Sequence, residues 1–286
     1  MKPLTAAVLA VLLAGCASAP PTQAPPAKPY NFAADPYPST YQRVPSPTVL
    51  LQHATVLTGT GTRLDDADVL MRDGRIAAVG QALEAPADAV RVDATGKWIT
   101  PGIIDIHSHL GVYPSPGVSA HSDGNEATSP VTPNVWAEHS IWPQDPGFLT
   151  AMAGGITSLQ VLPGSANLIG GRGVTLKNVP ATTYQGMKFP GAPWGLKMAC
   201  GENPKRVYGQ RGGPGTRMGN VAGYRAAFAE AAEYMKKRKA GGKDAEGKRD
   251  YKNDTLAGAI NGDIRVNIHC YRADEMATMQ IGRAHV

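Results

Sequence analysis

The sequence predicts an α/β protein carried behind a small β unit, and three observations predict it. Residues 48–98 alternate short apolar segments with turn residues. Beyond them, strand-length apolar runs recur around 99–107, 156–162, 174–177, 194–200 and 264–269. Patterns of helical period separate several of these runs, the clearest being Val221, Tyr224, Phe228, Ala231 and Met235. Strands alternating with helices are the signature of the α/β class. At 286 residues and 42% hydrophobic, the chain can bury the core of one large domain and one small one.

The first residues set an expected compartment. A basic start at Met1-Lys2 precedes an apolar stretch, Leu4 to Leu13, too short to span a bilayer as a helix. It ends in Leu13-Ala14-Gly15-Cys16, which resembles the bacterial lipobox, so residues 1–16 are expected to be a lipoprotein signal peptide with Cys16 as the lipidation site. Ala17 after the cysteine, by the same resemblance, implies the periplasmic face of the outer membrane in a Gram-negative cell envelope. Residues 17–47 hold nine prolines and few aliphatic side chains, which predicts a Pro-rich tether without a core of its own.

Residues 48–98 read as hairpins. Asp73-Gly74 stands between Val69-Leu70-Met71 and Ile76-Ala77-Ala78-Val79, a strong two-residue hairpin signal. A second turn, Asp93 to Lys97, leads straight into the stretch Thr100 to Gly111, TPGIIDIHSHLG. There Ile99, Ile103, Ile104 and Ile106 form an apolar run that reads as a buried strand ending in His-Ser-His. Residues two apart in a strand share a face, so His107 and His109 aim two imidazoles at one point. Neutral imidazole is the commonest protein ligand for zinc and similar ions.

A small β-sandwich followed at once by this strand, with Pro101-Gly102 before it and Asp105 inside it, resembles the amidohydrolase superfamily, in particular its imidazolonepropionase-like hydrolases. The resemblance implies a (β/α)8 TIM-type barrel with one or two divalent metal ions, zinc above all. It implies hydrolysis of a C–N bond in an amide, peptide or cyclic amide. Lys197 lies in an apolar strand, Trp194 to Cys200, where a charged side chain is costly unless paired or chemically changed. By resemblance to the binuclear members, Lys197 is a carboxylated lysine that bridges two metals. Glu202, at the mouth of the same strand, is its rival in a mononuclear hydrolase or deaminase. His269 closes the apolar run Ile264 to Ile268, and the resemblance makes it a metal ligand beside His107 and His109.

The remaining features are weaker. Residues 112–148 form a long polar insertion without helical or strand period, and loops after a barrel's first strand lie over the active face. Asp123, Asn125, Glu126, His121 and His139 are therefore candidates for substrate contact. The glycine-rich stretch Gly164 to Gly173 lacks the spacing of a phosphate fingerprint and reads as a tight active-site loop. Cys200 and Cys270 are expected as free thiols, although an oxidising compartment permits a disulfide. Between Lys205 and Lys252 stand 13 Lys and Arg against 5 Asp and Glu. That local excess of 8 leaves the rest of a +5 chain at −3. The run Lys236-Lys237-Arg238-Lys239 closes a helix where its dipole favours cations, so no nucleic-acid partner is expected.

Residues 99–279 supply about five of a barrel's eight strands, so the barrel is expected to be partial. By resemblance the missing portion would carry a further histidine ligand and the aspartate that acts as general base. The last seven residues, 280–286, carry no pattern of the family and read as a translated sequencing adapter, which removes His285 from the ligand set. The expected partners are a small-molecule or dipeptide substrate and, through lipid, a membrane. A non-catalytic surface lipoprotein using the barrel as a binding scaffold is the alternative of another class.

Overall fold

The computed structural model describes residues 29–241 and 247–283. The expected signal peptide, with Cys16, and residues 17–28 of the expected tether lie outside the described residues, as do 284–286.

The first unit is one five-stranded sheet. Strand β1 (Val49–Leu57) is antiparallel to β2 (Arg63–Arg72), which turns back into β3 (Arg75–Gly80). On its other side β1 runs parallel to β4 (Val90–Asp93) and then to β5 (Trp98–Ile99). The β2–β3 turn has Asp73 at φ 52° and Gly74 at φ 64°, the two positive values that an Asp-Gly hairpin turn requires. Ala54, Val56, Ala67, Val69 and Ala94 form a core of small residues under this sheet. The expected sandwich is thus a single layer among the described residues. Val90, Val92 and Ile76 are exposed because they lie on β4 and β3, the outer strands of the path β3-β2-β1-β4.

The second sheet is curled and holds the main core. Its order is β10-β9-β8-β7-β6. The strands are β6 (Ile103–Ser108), β7 (Ile156–Val161), β8 (Ile169–Lys177), β9 (Trp194–Ala199) and β10 (Ile264–His269). This is a partial TIM-type barrel with the five strands the sequence predicts. The pair β6 and β7 is parallel, as is the pair β9 and β10, while β8 runs antiparallel to both of its neighbours. The reversal follows from the short link between Val161 and Ile169, since a parallel crossover needs about a dozen residues or more. Because β8 reverses twice, β6, β7, β9 and β10 all point the same way and share one C-terminal mouth.

Helices cover the outer face. Helix α1 (Pro146–Ala153) is capped by Asp145, whose carboxylate also accepts from the backbone of Gly111 and Ser115 and so ties the loop after β6 to the helix. Two short helices, α2 (Tyr184–Met187) and α3 (Glu202–Tyr208), flank β9. Helices α4 (Arg217–Ala240) and α5 (Tyr251–Asn261) bury Tyr224, Ala227, Ala231 and Leu256 against the sheet. The basic run ends α4 just before Gly241, as its pattern predicts. A last helix, α6 (Ala273–Arg283), runs on into residues 280–283.

Three expectations are corrected here. The apolar run of β6 is not buried: Ile103, Ile104 and Ile106 are 51%, 66% and 72% exposed, because β6 is an edge strand paired only with β7. Cys200 and Cys270 are not free thiols but form a disulfide, since β9 and β10 run parallel and in register and bring their C-terminal ends together. Residues 29–41 do not behave as a tether. Phe32 is 1% exposed, and Arg172 donates to the Phe32 carbonyl at 3.0 Å and to Thr255 Oγ1 at 2.8 Å. Lys188 binds Asp35 and Glu138 at 2.8 and 2.7 Å. The segment is held through aromatic residues and backbone carbonyls that meet buried cations elsewhere, which an average over its prolines hides.

Candidate metal centre

Four side chains from three strands converge at the shared mouth. His107 lies near the end of β6, and His109 follows just beyond it. Their rings meet edge to face with centroids 5.1 Å apart. Lys197 stands inside β9, and its Nζ lies 2.7 Å from His107 Nε2. Asn267 of β10 is opposite Lys197, so His269, two residues on, projects on the same side of the sheet.

The hydrogen bonds around these rings decide which nitrogen faces inward. His109 Nδ1 donates to the Leu162 carbonyl at 2.8 Å, which leaves Nε2 with its lone pair. His269 Nδ1 is 3.1 Å from Ser165 Oγ, and its Nε2 is buried without a partner. Lys197 is 1% exposed and lies against an imidazole rather than a carboxylate. Burial pushes its ammonium down to about 8. Burial first, and then the neighbouring Lys197 charge, holds His107 and His269 below the ordinary histidine value. Burial also lowers His109, against the Leu162 carbonyl that raises it.

Such a cluster is a poor place for protons and a good one for a divalent cation. Three imidazoles biased toward neutrality, one orphaned Nε2 and an amine without a counter-ion fit the expected metal. Among the described residues no group of three His, Cys, Asp and Glu side chains forms a site by itself. The lysine is therefore the decisive member: as an ammonium it would repel a cation, and as a carbamate it would supply two oxygens sharing one negative charge. Glu202 is exposed at the start of α3, and its charge acts on His269 from the side.

The long loop after β6 brings some of its candidates near the cluster and keeps others away. Asn125 donates to the Tyr113 hydroxyl and accepts from the Ala166 backbone at 3.0 Å. Tyr113 lies edge-on to His109, and burial raises its phenol above the ordinary value. Asp123, Glu126 and His139 line a neighbouring cavity of about 400 Å³. His139 is stacked on Trp136, and His121 packs on Trp142, so neither joins the histidine cluster. Sequence reasoning missed Tyr113 and Ser165. Their only signals were nearness to His-Ser-His for one and a place in the glycine-rich stretch for the other.

Comparison with known proteins gives this arrangement a family. No protein-family model matches the chain. A solved amidohydrolase from Thermotoga maritima MSB8 superposes with a TM-score of 0.76 and 40% identity, over 83% of this chain and 61% of that one. The amidohydrolase tasK of Hapsidospora irregularis is 35% identical over 267 residues, 80% of this chain and 27% of its own length. The chain is a member of the amidohydrolase superfamily.

An imidazolonepropionase of Methylobacterium sp. (strain 4-46) shares 53% identity with it over 49 residues, 16% of this chain and 12% of that enzyme. This amidohydrolase-superfamily chain thus spans less than two thirds of the length of each of these relatives. Its partial barrel agrees with that coverage.

Proposed function

We propose that this chain is the metal-holding part of a hydrolase that cleaves a C–N bond in an amide, peptide or cyclic amide. One observation carries the reading: Lys197, buried without a carboxylate partner, stands against His107 at the mouth it shares with His109 and His269. His107, His109 and His269 would hold zinc or a similar divalent ion, and Lys197 as its carbamate would join two. Bound there, the ion supplies Lewis acidity toward the substrate carbonyl and a water activated near neutral pH.

The chain's own residues do the rest. Leu162 and Ser165 fix the rings of His109 and His269 in place. Burial holds all three imidazoles below the ordinary histidine value, which favours the neutral rings that a metal would need. The relatives named amidohydrolase and imidazolonepropionase support a C–N hydrolase. Dipeptides, cyclic imides and imidazolones all suit such a centre.

The test is spectroscopic and analytical. Full-length protein grown with 13C-labelled bicarbonate should show a carbamate carbon that disappears in Lys197→Ala. Metal content in that variant should fall from about two ions toward one or none, with partial rescue by short carboxylic acids. If Glu202→Ala lowers metal content and Lys197→Ala does not, the mononuclear hydrolase or deaminase reading replaces this one, a reading favoured only by the charge of Glu202 near His269.

For location we propose a lipid anchor at Cys16, supported by the Leu13 to Cys16 motif alone. Labelling by a palmitate analogue should vanish in Cys16→Ser. Among the described residues no helix is long and apolar enough to cross a membrane.

A further inference from the structure

Tyr113 lies on the loop four residues after His109, its ring edge-on to that imidazole at 5.9 Å between centroids. Its hydroxyl accepts a hydrogen bond from Asn125 Nδ2. The other end of the amide fixes that direction. Asn125 Oδ1 accepts from the Ala166 backbone N–H at 3.0 Å, so its nitrogen is the atom turned to the phenol. A phenol that accepts in this way keeps its own proton for another acceptor, and none of the described residues provides one.

The hydroxyl lies beside the loop that reaches the histidine cluster. A Cβ built on Gly164 would lie 2.7 Å from it, and the next residue, Ser165, bonds His269 at 3.1 Å. The phenol therefore lies against His109 and next to the loop whose Ser165 bonds His269. Its seat excludes larger neighbours: side chains at Gly124 or Gly164 would overlap the Tyr113 ring or the Asn125 amide. Tyr113 nevertheless remains 40% exposed, so the residue is open to solvent on one side. His109 cannot take this role from Nδ1, because that N–H is spent on Leu162.

We propose that Tyr113 is a catalytic hydrogen-bond donor to the substrate's carbonyl oxygen, with Asn125 as the positioning residue that orients it. The assignment rests on the C–N hydrolase reading above. When water adds to the carbonyl carbon, a C–O bond forms and the π pair moves onto the carbonyl oxygen. Tyr113 meets that negative charge without transferring its proton. The pair then returns, the C–N bond breaks, and the nitrogen leaves with a proton that came from the water. A donor aimed at the developing charge strengthens its bond in the transition state and lowers the barrier.

The experiment compares wild-type, Tyr113→Phe and Asn125→Ala full-length protein loaded with zinc. Inorganic phosphate serves as the tetrahedral oxyanion probe in calorimetry. Tyr113→Phe should keep its zinc and its melting temperature while binding phosphate about tenfold or more weakly. With any amide the wild type hydrolyses, kcat should fall about 10²–10³-fold while KM changes little. Asn125→Ala should show a smaller loss in both. Unchanged phosphate affinity in Tyr113→Phe overturns the assignment, whether or not the wild type has activity. Weakened phosphate binding in a protein that hydrolyses no amide upholds the donor and sinks the hydrolase reading instead.

Discussion

Lys197 Nζ lies 2.7 Å from His107 Nε2 across 90 residues of sequence, and the contact has no carboxylate to balance it. An ammonium at 1% exposure with only an imidazole beside it is an unfavourable arrangement on its own. On the proposed reading, carboxylation of the amine and a cation among the histidines would remove that cost.

Removing two ligands at once should empty that site. His107→Ala with His109→Ala in the full-length protein is expected to lose most bound zinc, read by elemental analysis after dialysis. The two rings make single hydrogen bonds, to Lys197 and the Leu162 carbonyl, so their removal should leave the chain folded. Unchanged zinc in a folded double variant would place the metal elsewhere.

The Cys200–Cys270 bond closes a loop with a sequence separation of 70. A cross-link of that span stabilises by about 4 kcal/mol in the chain-entropy model. Cys200→Ser with Cys270→Ser should lower stability by an amount of that order in denaturant titration. Thiol titration of the unfolded, unreduced wild type should find neither cysteine free.

Phe32 anchors the segment 29–41 to the barrel, beside Arg172 and Thr255. Phe32→Ala removes a fully buried aromatic and should cost about 3–5 kcal/mol. The segment should then become cleavable by proteases ahead of the rest of the chain. A variant as resistant as the wild type would show that the buried cations Arg172 and Lys188 hold it without help.

The edge of β6 presents Ile103, Ile104 and Ile106 to solvent, and the opposite edge strand is β10. Unpaired edges of this kind template association between chains. The chain should therefore self-associate in light scattering. Ile104→Lys with Ile106→Lys should raise the monomer fraction. A monodisperse wild-type chain would refute this.

Sequence alone determined a good deal. The His-Ser-His spacing, the apolar frame around Lys197 and the histidine closing the β10 run were readable because strand parity is local. Two-residue periodicity fixes which side chains share a face without any knowledge of the partner strand. The Asp73-Gly74 turn and the helix end at the basic run were readable for the same reason, since φ preference and helix dipole act within a few residues.

Only the tertiary structure decided the rest. Whether Lys197 meets His107 depends on β8 reversing between them, and whether Cys200 meets Cys270 depends on the register of β9 and β10. The exposure of the β6 isoleucines depends on which strands stand beside them, and the seating of Phe32 on cations from β8 and the stretch after α2. Tyr113 and Ser165 gain their meaning from loops folding back over the mouth. Local pattern reports which way a side chain points along its own strand. What it meets there is set by long-range packing, and no window of sequence contains it.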